Sequence, residues 1–453
     1  MKEIERLTRK KSLNPSLLDI ELAEIPKLQY TKYHKFFYLI LASSTAVLPP
    51  LSSTIYLPSL VEIQHELNTN ETMMDLSIAL FLVFLAVTPL IWGNLADYYG
   101  RKIVYVSSLI IFIIGNIGLL FSSNIYILLI MRVIQSIGSS SGNVCGIGTI
   151  SDIYIEEERG FAMGIFFLGA MIGPILGPIL GGILSKYFNY KSIFIFLIIY
   201  ASIILMLIVF FLKETNVHAK LYKDNQKMKD SRKHTFKIFK FFQFMNFIII
   251  VLIMLYNGIN FATYMLLETS HPLIMTQKFD MNSFDIGLSL IPIGCGNIVG
   301  SMVVGKLSDK IKITNENNNT VKHENKFKII IVTGVIIILN YLLYCLLFNG
   351  INSIYILLVF HFFIGFSSIS IMIITSTYLI NLFPSNSSLV SACANFFRYL
   401  LAAILASFSS TLLRLLNVQG LFLLFTILAV FGYLIGLFIF FFGMKIRYVK
   451  LFK

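Results

Sequence analysis

Four ionisable side chains lie inside long apolar stretches of this sequence, where charged residues are costly. Arg132, Glu268, His361 and Arg398 are each flanked by runs of aliphatic and aromatic residues. A carboxyl or imidazole group in apolar surroundings can bind and release a proton near neutral pH. A guanidinium at such a position needs a partner or a wet cavity. These residue types predict proton binding and transfer, with Glu268 as the first choice for the proton carrier.

Each of these residues also has a structural interpretation. Glu268, near the end of its apolar stretch, could be an interfacial carboxylate in water. His361 could be a hydrogen-bonded structural histidine. Arg132 could bond to the first apolar helix through the hydroxyl groups of residues 43–45. Arg398 could hold a counter-anion or pair with Glu268.

Three further charged residues lie close together in the segment GNLADYYGRK at Gly93–Lys102, between two apolar runs. It combines one acid with two bases and carries glycines at both ends, which allow close backbone approach and a tight turn. A shorter version, GKLSD, ends at Asp309 about half a chain later. This repetition indicates two related halves with corresponding charged loops.

Composition makes the chain a polytopic membrane protein. Of its 453 residues, 57% are hydrophobic and only 13% are charged, and its mean hydropathy is +0.80. Apolar runs of about 20 residues, long enough to cross a bilayer, recur along the whole chain. We therefore predict an all-α fold with twelve transmembrane helices, spans one to twelve, roughly at residues 36–57, 75–96, 103–122, 125–148, 161–184, 192–212, 244–269, 284–304, 327–348, 353–380, 388–412 and 418–443.

Basic residues set the predicted orientation of these spans. With the N-terminus in the cytoplasm, the outer segments hold only Lys186, Lys191, Lys278 and Arg414, while the inner segments are rich in Lys and Arg. The positive-inside rule then places both termini in the cytoplasm. Loops that face an anionic leaflet explain the net charge of +13, so we expect no nucleic-acid partner.

Asp75, at the outer start of span two, is expected to be an N-terminal helix cap.

The polar gaps divide the chain into five regions. We predict two pseudo-symmetric six-helix halves joined by a basic loop, which acts as a tether and ends in a short amphipathic helix on the membrane surface. The regions are a cytoplasmic tail at 1–35, the halves at 36–212 and 244–443, the cytoplasmic loop at 213–243 and a short cytoplasmic tail at 444–453.

Three motifs carry a resemblance to a known family. The 93–102 segment resembles the signature loop of the major facilitator superfamily, G-x-L-a-D-x-x-G-R-K, at every fixed position. IMRVIQSIG at 130–138 is similar to the span-four signature of that superfamily's drug:proton antiporters. GAMIGPILGPILGG at 169–182 closely resembles their span-five antiporter signature, which uptake members usually lack. The nearest branch resembles the fungal twelve-span multidrug antiporters, which include quinidine-resistance and dityrosine exporters, as shorter stretches also indicate at 50–60, 190–196, 211–215 and 394–404.

The resemblance implies a cytoplasmic gate. Asp97 would contact the N-terminus of span eleven, where the helix dipole favours negative charge, and Arg101 and Lys102 would bind acids of the neighbouring inner loop, with Asp152 as the partner. This cluster would latch the halves together when the carrier faces outward. Alternatively, the two bases are only positive-inside anchors. The expected gate residues are Gly93, Asp97, Gly100, Arg101, Lys102, Asp152 and, in a weaker second latch, Asp309.

Span five carries glycines at every fourth position, which lie on one helix face and allow close helix packing. Two prolines bend the helix. The resemblance implies that span five packs on span eight, where Gly296 and Gly300 repeat the spacing, and that this seam is a hinge for alternating access. Ordinary tight packing is the alternative. The signature residues are Gly169, Gly173, Pro174, Gly177, Pro178, Gly181 and Gly182.

The resemblance also places a substrate cavity between the halves, lined by spans one, four, seven and ten, and it links Arg132 to proton coupling. Span one lacks the carboxylate found in many bacterial relatives, so the proton carrier must lie elsewhere. Span seven contributes an aromatic and polar stripe that would suit amphipathic or cationic aromatic compounds, unless it faces lipid. The stripe comprises Tyr256, Asn257, Asn260, Phe261 and Tyr264.

These patterns predict a secondary active transporter that exports small organic molecules in exchange for protons by alternating access. Drugs, amphipathic or aromatic compounds, weak acids and polyamines are the candidate substrates. A facilitator or a proton symporter that imports a nutrient is the alternative within the same fold. A membrane enzyme would need His, Asp and Glu clustered at one membrane face, and the sequence lacks such a cluster.

The expected partners are a small-molecule substrate, protons and the lipid bilayer, and the expected state is a monomer. We expect no cofactor and no metal, because the proton gradient would supply the energy. The expected location is the plasma membrane, with the vacuole or another internal membrane as the alternative.

Overall fold

The structure is a computed structural model that describes residues 30–216, 247–311, 314–315, 320–321, 323–350, 353–382 and 387–451. Most of the predicted N-terminal tail and most of the basic central loop, with its expected surface helix, lie outside the described residues.

The described chain is almost entirely helical, as predicted. Eleven of its helical segments are long and apolar enough to cross a membrane, and a twelfth, Val390–Ala406, is shorter. The twelve spans consist of the α-helices Lys32–Thr54 and Leu60–Glu66 (one), Glu71–Tyr99 (two), Arg101–Leu120 (three), Ile125–Ser139 and Ser141–Ile153 (four), Glu156–Phe188 (five), Lys191–Phe211 (six), Ile248–Phe279 (seven), Ser283–Ser289 and Ile291–Lys310 (eight), Phe327–Leu347 (nine), Ile354–Leu382 (ten), Ser387–Ala406 (eleven) and Ser409–Leu451 (twelve).

Short elements fill the connections. In the described part of the chain, 3-10 helices lie at Leu57–Ser59 inside span one, and at His323–Lys326 and Phe348–Gly350 on either side of span nine. Two two-residue strands, β1 (Thr314–Asn315) and β2 (Thr320–Val321), pair antiparallel between spans eight and nine. Helical backbone also replaces the outer loop that we predicted before residue 418. Span twelve begins at Ser409 and kinks at Asn417, where φ is 56°.

Three apolar cores hold the spans together. The first lies within the N-terminal half, around Tyr38, Phe112 and Phe166, and the second within the C-terminal half. The third combines residues of both halves, among them Tyr56 and Ala402. This third core, here called the seam core, joins the halves. The outer surfaces of spans such as six and twelve carry exposed apolar side chains. In a membrane these side chains would contact lipid.

Candidate functional site

Asp75 joins the two halves at the predicted outer end of the bundle. Its buried carboxylate accepts a hydrogen bond from the backbone N–H of Ser410, in the first turn of span twelve, over 2.6 Å. The expected role of Asp75 as a cap of its own helix is wrong, because Asn70 caps span two by accepting a hydrogen bond from the Met73 N–H. Asp75 therefore caps a helix of the opposite half.

Other contacts close the same end. Arg414 of span twelve forms an ion pair with Glu71 of span two, with 3.7 Å between Nε and Oε2. The carboxylate of Glu62 in span one accepts hydrogen bonds from Ser185 of span five and, over 3.4 Å, from Ser283 of span eight. The hydrogen bonds and ion pairs between described residues of the two halves all lie here. The structure is thus closed at its predicted outer end.

Tyr190, between spans five and six, supports this closure. Its backbone N–H donates to Glu62 and its hydroxyl donates to Glu66 over 3.4 Å. Burial, followed by the nearby Glu66 carboxylate, raises the pKa of Tyr190. Its hydroxyl therefore remains a proton-bearing donor at any physiological pH.

The glycine stripe of span five packs on span one, which corrects the expected pairing with span eight. A Cβ on Gly173 would lie 2.9 Å from the Leu51 backbone nitrogen, and one on Gly181 would overlap the Ile55 carbonyl oxygen. Gly169 and Gly177 meet the same helix. In span eight, Gly296 and Gly300 pack on span ten, so both stripes tighten helix pairs within one half.

A different face of span five does contact span eight. A Cβ on Gly182 would lie 2.8 Å from the Ser283 carbonyl oxygen, and one on Gly287 would overlap the Pro178 carbonyl oxygen. Pro174 and Pro178 both lie inside the continuous helix Glu156–Phe188. The expected seam between spans five and eight therefore exists, and Gly182, Pro178 and Gly287 form it.

Arg101 organises the charged cluster at the predicted cytoplasmic end. Its guanidinium forms ion pairs with Asp97, four residues earlier, at 2.8 Å, and with Asp152 of span four at 3.3 Å. The pairing with Asp152 is as expected. The Lys102 ammonium instead donates to the Val209 carbonyl of span six, which corrects its expected acidic partner.

Glu214 is a member of this cluster that the sequence reasoning missed. Its carboxylate accepts the backbone N–H groups of Arg101 and Lys102 over 2.9 and 3.1 Å, so an acid occupies the positive N-terminal end of span three. Gly100 makes the approach possible, because its φ is 100° and a Cβ there would overlap the Glu214 carboxylate. The sequence feature that could have pointed to Glu214 is the FLKET stretch at 211–215, which contains it.

The ion pairs and hydrogen bonds of this cluster, among the described residues, lie within the N-terminal half. Gly93 packs near Val144 of span four, and Asp309 lies in span eight with its side chain outside the described residues. A latch between the halves at this end therefore stays a prediction for another conformation.

Arg132 is completely buried in span four. Its Nη1 donates to the Ser52 carbonyl of span one over 3.2 Å and to Gln135 over 2.7 Å. A hydrogen bond from Arg132 to span one was expected, but the acceptor is the Ser52 carbonyl and not a hydroxyl group of residues 43–45. The rings of Tyr56 and Phe81 each lie 4.4 Å from the guanidinium carbon, and such cation–π contacts stabilise a desolvated charge.

Glu268 lies in a buried polar cluster of span seven and is only 5% exposed, which corrects its alternative interpretation as an interfacial carboxylate in water. The Tyr264 hydroxyl, one helical turn away, forms a hydrogen bond with this carboxylate and accepts one from Asn297 of span eight over 3.1 Å. The ion pairs between described residues do not include Glu268. It is thus a buried acid with neutral hydrogen-bonding neighbours.

His361 of span ten lies against His271 of span seven, with ring centroids 4.8 Å apart. Both are fully buried. His271 bonds to Ser289 through Nε2, but neither ring nitrogen of His361 has a hydrogen-bond partner of good geometry among the described residues. The Ser289 backbone lies beside the His361 ring, so the interpretation of His361 as a hydrogen-bonded structural histidine stays a prediction. The sequence reasoning missed His271, because nothing local indicates that these two rings meet.

The expected cavity stripe of span seven is largely buried in the C-terminal half. Tyr256 packs against Gly432 and Gly436 of span twelve, and Asn260 donates to the Ser368 carbonyl of span ten over 3.0 Å. Asn257 is buried as well. Of this stripe, Phe261 packs against the seam core. Phe261 is therefore the stripe residue that lies at the junction of the two halves.

Arg398 of span eleven lies next to Phe261. The guanidinium carbon lies 4.8 Å from the Phe261 ring centroid and 4.9 Å from that of Tyr399. Nη1 contacts the sulfur of Met372 in span ten. The suggested ion pair with Glu268 is not formed, because Arg398 has no carboxylate within 4.0 Å among the described residues.

Comparison with known proteins agrees with this architecture. A family model described as Major Facilitator Superfamily matches residues 42–407. The chain is 26% identical over 443 residues to citrate exporter 1 of Aspergillus niger, a match that covers 86% of this chain and 83% of that protein. It is 24% identical to MFS antiporter QDR2 of Candida albicans, with 88% and 86% covered. The structure of a D-xylose-proton symporter shares the fold, with a TM-score of 0.68, 15% identity, and 89% of this chain and 97% of that chain covered.

Proposed function

Since this chain belongs to the major facilitator superfamily and is a multi-pass membrane transporter, we propose that it exports small organic molecules in exchange for protons. The proposed cycle is alternating access between the two six-helix halves. The proposed location is the plasma membrane, with both termini in the cytoplasm and a monomer as the working unit.

The observation that carries the proton coupling is the environment of Glu268. An acid inside a membrane helix is costly when charged, and Glu268 has the neutral Tyr264 as its hydrogen-bonding neighbour. A carboxyl group in this setting accepts a proton when the cavity opens to the acidic side and loses it when the cavity opens to the other side. We propose Glu268 as the proton carrier for this reason.

Export is supported by the span-five motif and by the named relatives. The 169–182 segment builds both a tight pair with span one and the seam with span eight, in the pattern that resembles antiporter sequences. Relatives that match most of the chain are named a citrate exporter and an antiporter. Organic acids and drug-like amphipathic compounds are therefore the substrate classes to examine first.

Alternating access is supported by the uneven distribution of contacts. Asp75 and Glu62 join the halves at the predicted outer end, whereas the Arg101 cluster at the other end is bonded within its own half. In the proposed outward-facing state the outer contacts break, and the Asp97–Arg101 cluster forms the cytoplasmic latch with the C-terminal half.

The test compares Glu268→Gln with Glu158→Gln in proteoliposomes. Glu158 is a matched control because its half-exposed carboxylate pairs with Lys35 away from the seam. We expect Glu268→Gln to abolish substrate accumulation driven by a pH gradient while substrate–substrate exchange continues, and Glu158→Gln to behave as wild type. Gradient-driven accumulation at the wild-type rate in Glu268→Gln would exclude this residue as the carrier.

A further inference from the structure

Arg398 differs from the other buried or half-buried arginines of the bundle in how its charge is compensated. Arg101 has two carboxylates within 3.3 Å, and Arg132 has two oxygen acceptors. Among the described residues, the guanidinium of Arg398 donates to the sulfur of Met372, which is a weak acceptor. Its Nε is buried without a hydrogen-bond partner among the described residues, as are Nε and Nη2 of Arg132, so the difference between these two arginines is the absence of an oxygen acceptor at Arg398. A guanidinium stays charged at any relevant pH, so this positive charge is left with little compensation.

Two aromatic neighbours lie beside this guanidinium. The ring centroids of Phe261 and Tyr399 lie within 5 Å of its central carbon. The two centroids are 5.3 Å apart and the ring planes are nearly perpendicular, so both rings lie on one side of the guanidinium and leave its other side to a ligand. A planar fork of donors matches the two oxygens of a carboxylate or the oxygens of a sulfonate.

The position of this group is at the junction of the two halves. Phe261 and Tyr399 both pack on the seam core, which includes Leu82 and Leu128 of the N-terminal half and Ala402 of span eleven. Arg398 itself is half-buried. A partly accessible cation beside two aromatic rings, at the junction of two halves that move in the proposed cycle, is suited to bind a mobile ligand.

We propose that Arg398 binds the anionic group of the transported molecule, and that the substrates are amphipathic organic anions with a carboxylate or sulfonate on an apolar body. Phe261 and Tyr399 contact the apolar body next to that group. This assignment rests on the proposed export function and narrows its substrate class. It replaces the expectation of cationic aromatic substrates drawn from the span-seven stripe.

The test measures equilibrium binding to the purified full-length protein without a gradient. The probes are naphthalene-2-sulfonate, its neutral sulfonamide, benzoate and tetraphenylphosphonium. The variants are Arg398→Gln, Arg398→Lys and the control Arg414→Gln, which removes an exposed arginine at the outer end. Thermal unfolding shows whether each variant is folded, and Arg398→Lys carries the test if Arg398→Gln is not.

We expect wild type to bind the anions at least tenfold more tightly than the sulfonamide. Arg398→Gln should lose about tenfold or more of the anion affinity, as expected for a charged hydrogen bond, with partial recovery in Arg398→Lys and no change in Arg414→Gln. Three results would overturn the proposal: unchanged sulfonate binding in Arg398→Gln, equal binding of sulfonate and sulfonamide, or wild-type binding of the cation alone. Anion binding without proton flux in proteoliposomes would instead leave this site standing and refute antiport.

Discussion

Two arginines of the bundle illustrate how a charge is held inside a membrane helix. Arg132 and Arg398 belong to different halves, and each has two aromatic ring centroids within 5 Å of its guanidinium carbon. Arg132 is fully buried and bonded to Ser52 and Gln135, whereas Arg398 remains partly accessible. We infer that the first ties span four to span one and that the second is available to a ligand.

Arg132→Lys tests the structural role of that arginine. Lysine keeps the charge but has no planar fork, so it cannot keep both acceptors and both ring contacts. We expect a loss of about 2 kcal/mol or more in stability, visible as a lower thermal unfolding temperature of the purified protein. Arg414→Lys, at the exposed end, is the control. An unchanged unfolding temperature for Arg132→Lys would show that the guanidinium geometry is not needed.

The sequence identified most of these ionisable residues but few of their partners. An acid or a base in an apolar run is visible in one dimension, which is how Arg132, Glu268 and His361 were found. The partners His271 and Ser410 lie 90 and 335 residues away from the groups they meet. No local pattern specifies such a contact, because it depends on how the helices are arranged.

At the scale of elements, span five packs against two different helices through two of its faces. One glycine face lies against span one, and the second, at Gly182 and Pro178, lies against span eight. The spacing of four predicted the stripe correctly but not its neighbour, because any helix can pack on small residues. The packing inside the N-terminal half therefore depends on this motif as much as the contact between the halves does.

Gly181→Ala should destabilise the N-terminal half. The added Cβ would overlap the Ile55 carbonyl oxygen, and backbone cannot move aside as a flexible side chain can. We expect a loss of about 1–3 kcal/mol, measured as a lower thermal unfolding temperature. Gly164→Ala in the same helix is the matched control, since a Cβ there meets nothing within 4 Å. Equal unfolding temperatures for the two variants would refute the close packing of spans one and five.

For the whole molecule, closure at one end and separate bonding at the other describe a carrier whose gate is shut at the predicted outer end. Hydropathy predicted the membrane-spanning helices, because the length of an apolar span follows from the thickness of a bilayer. Which end is closed could not be predicted, since one sequence serves every conformation of the cycle.

Asp75→Asn should weaken the outer closure. The amide keeps an acceptor oxygen but loses the charge that favours the N-terminus of span twelve. A loss of about 1–2 kcal/mol would change the ratio of closed to open molecules by about five- to thirty-fold. Spin labels at the exposed Tyr187 and Leu415 positions, in a protein without its four cysteines, would report longer distances across the outer end.

Glu71→Gln is the control for this experiment, because its ion pair with Arg414 lies at the exposed rim, where such pairs contribute little. Its distance distribution should match that of the parent protein. If Asp75→Asn also matches the parent, the buried cap on span twelve does not hold the outer end closed.

The central claim is that substrate and proton move in opposite directions through one carrier. The most direct measurement uses wild-type protein in liposomes with an internal pH-sensitive dye and an imposed proton gradient. Added organic anions should produce substrate-dependent proton movement opposite to substrate movement. Substrate movement that leaves the internal pH unchanged, or protons that travel with the substrate, would contradict the account and leave a facilitator or a symporter on the same fold.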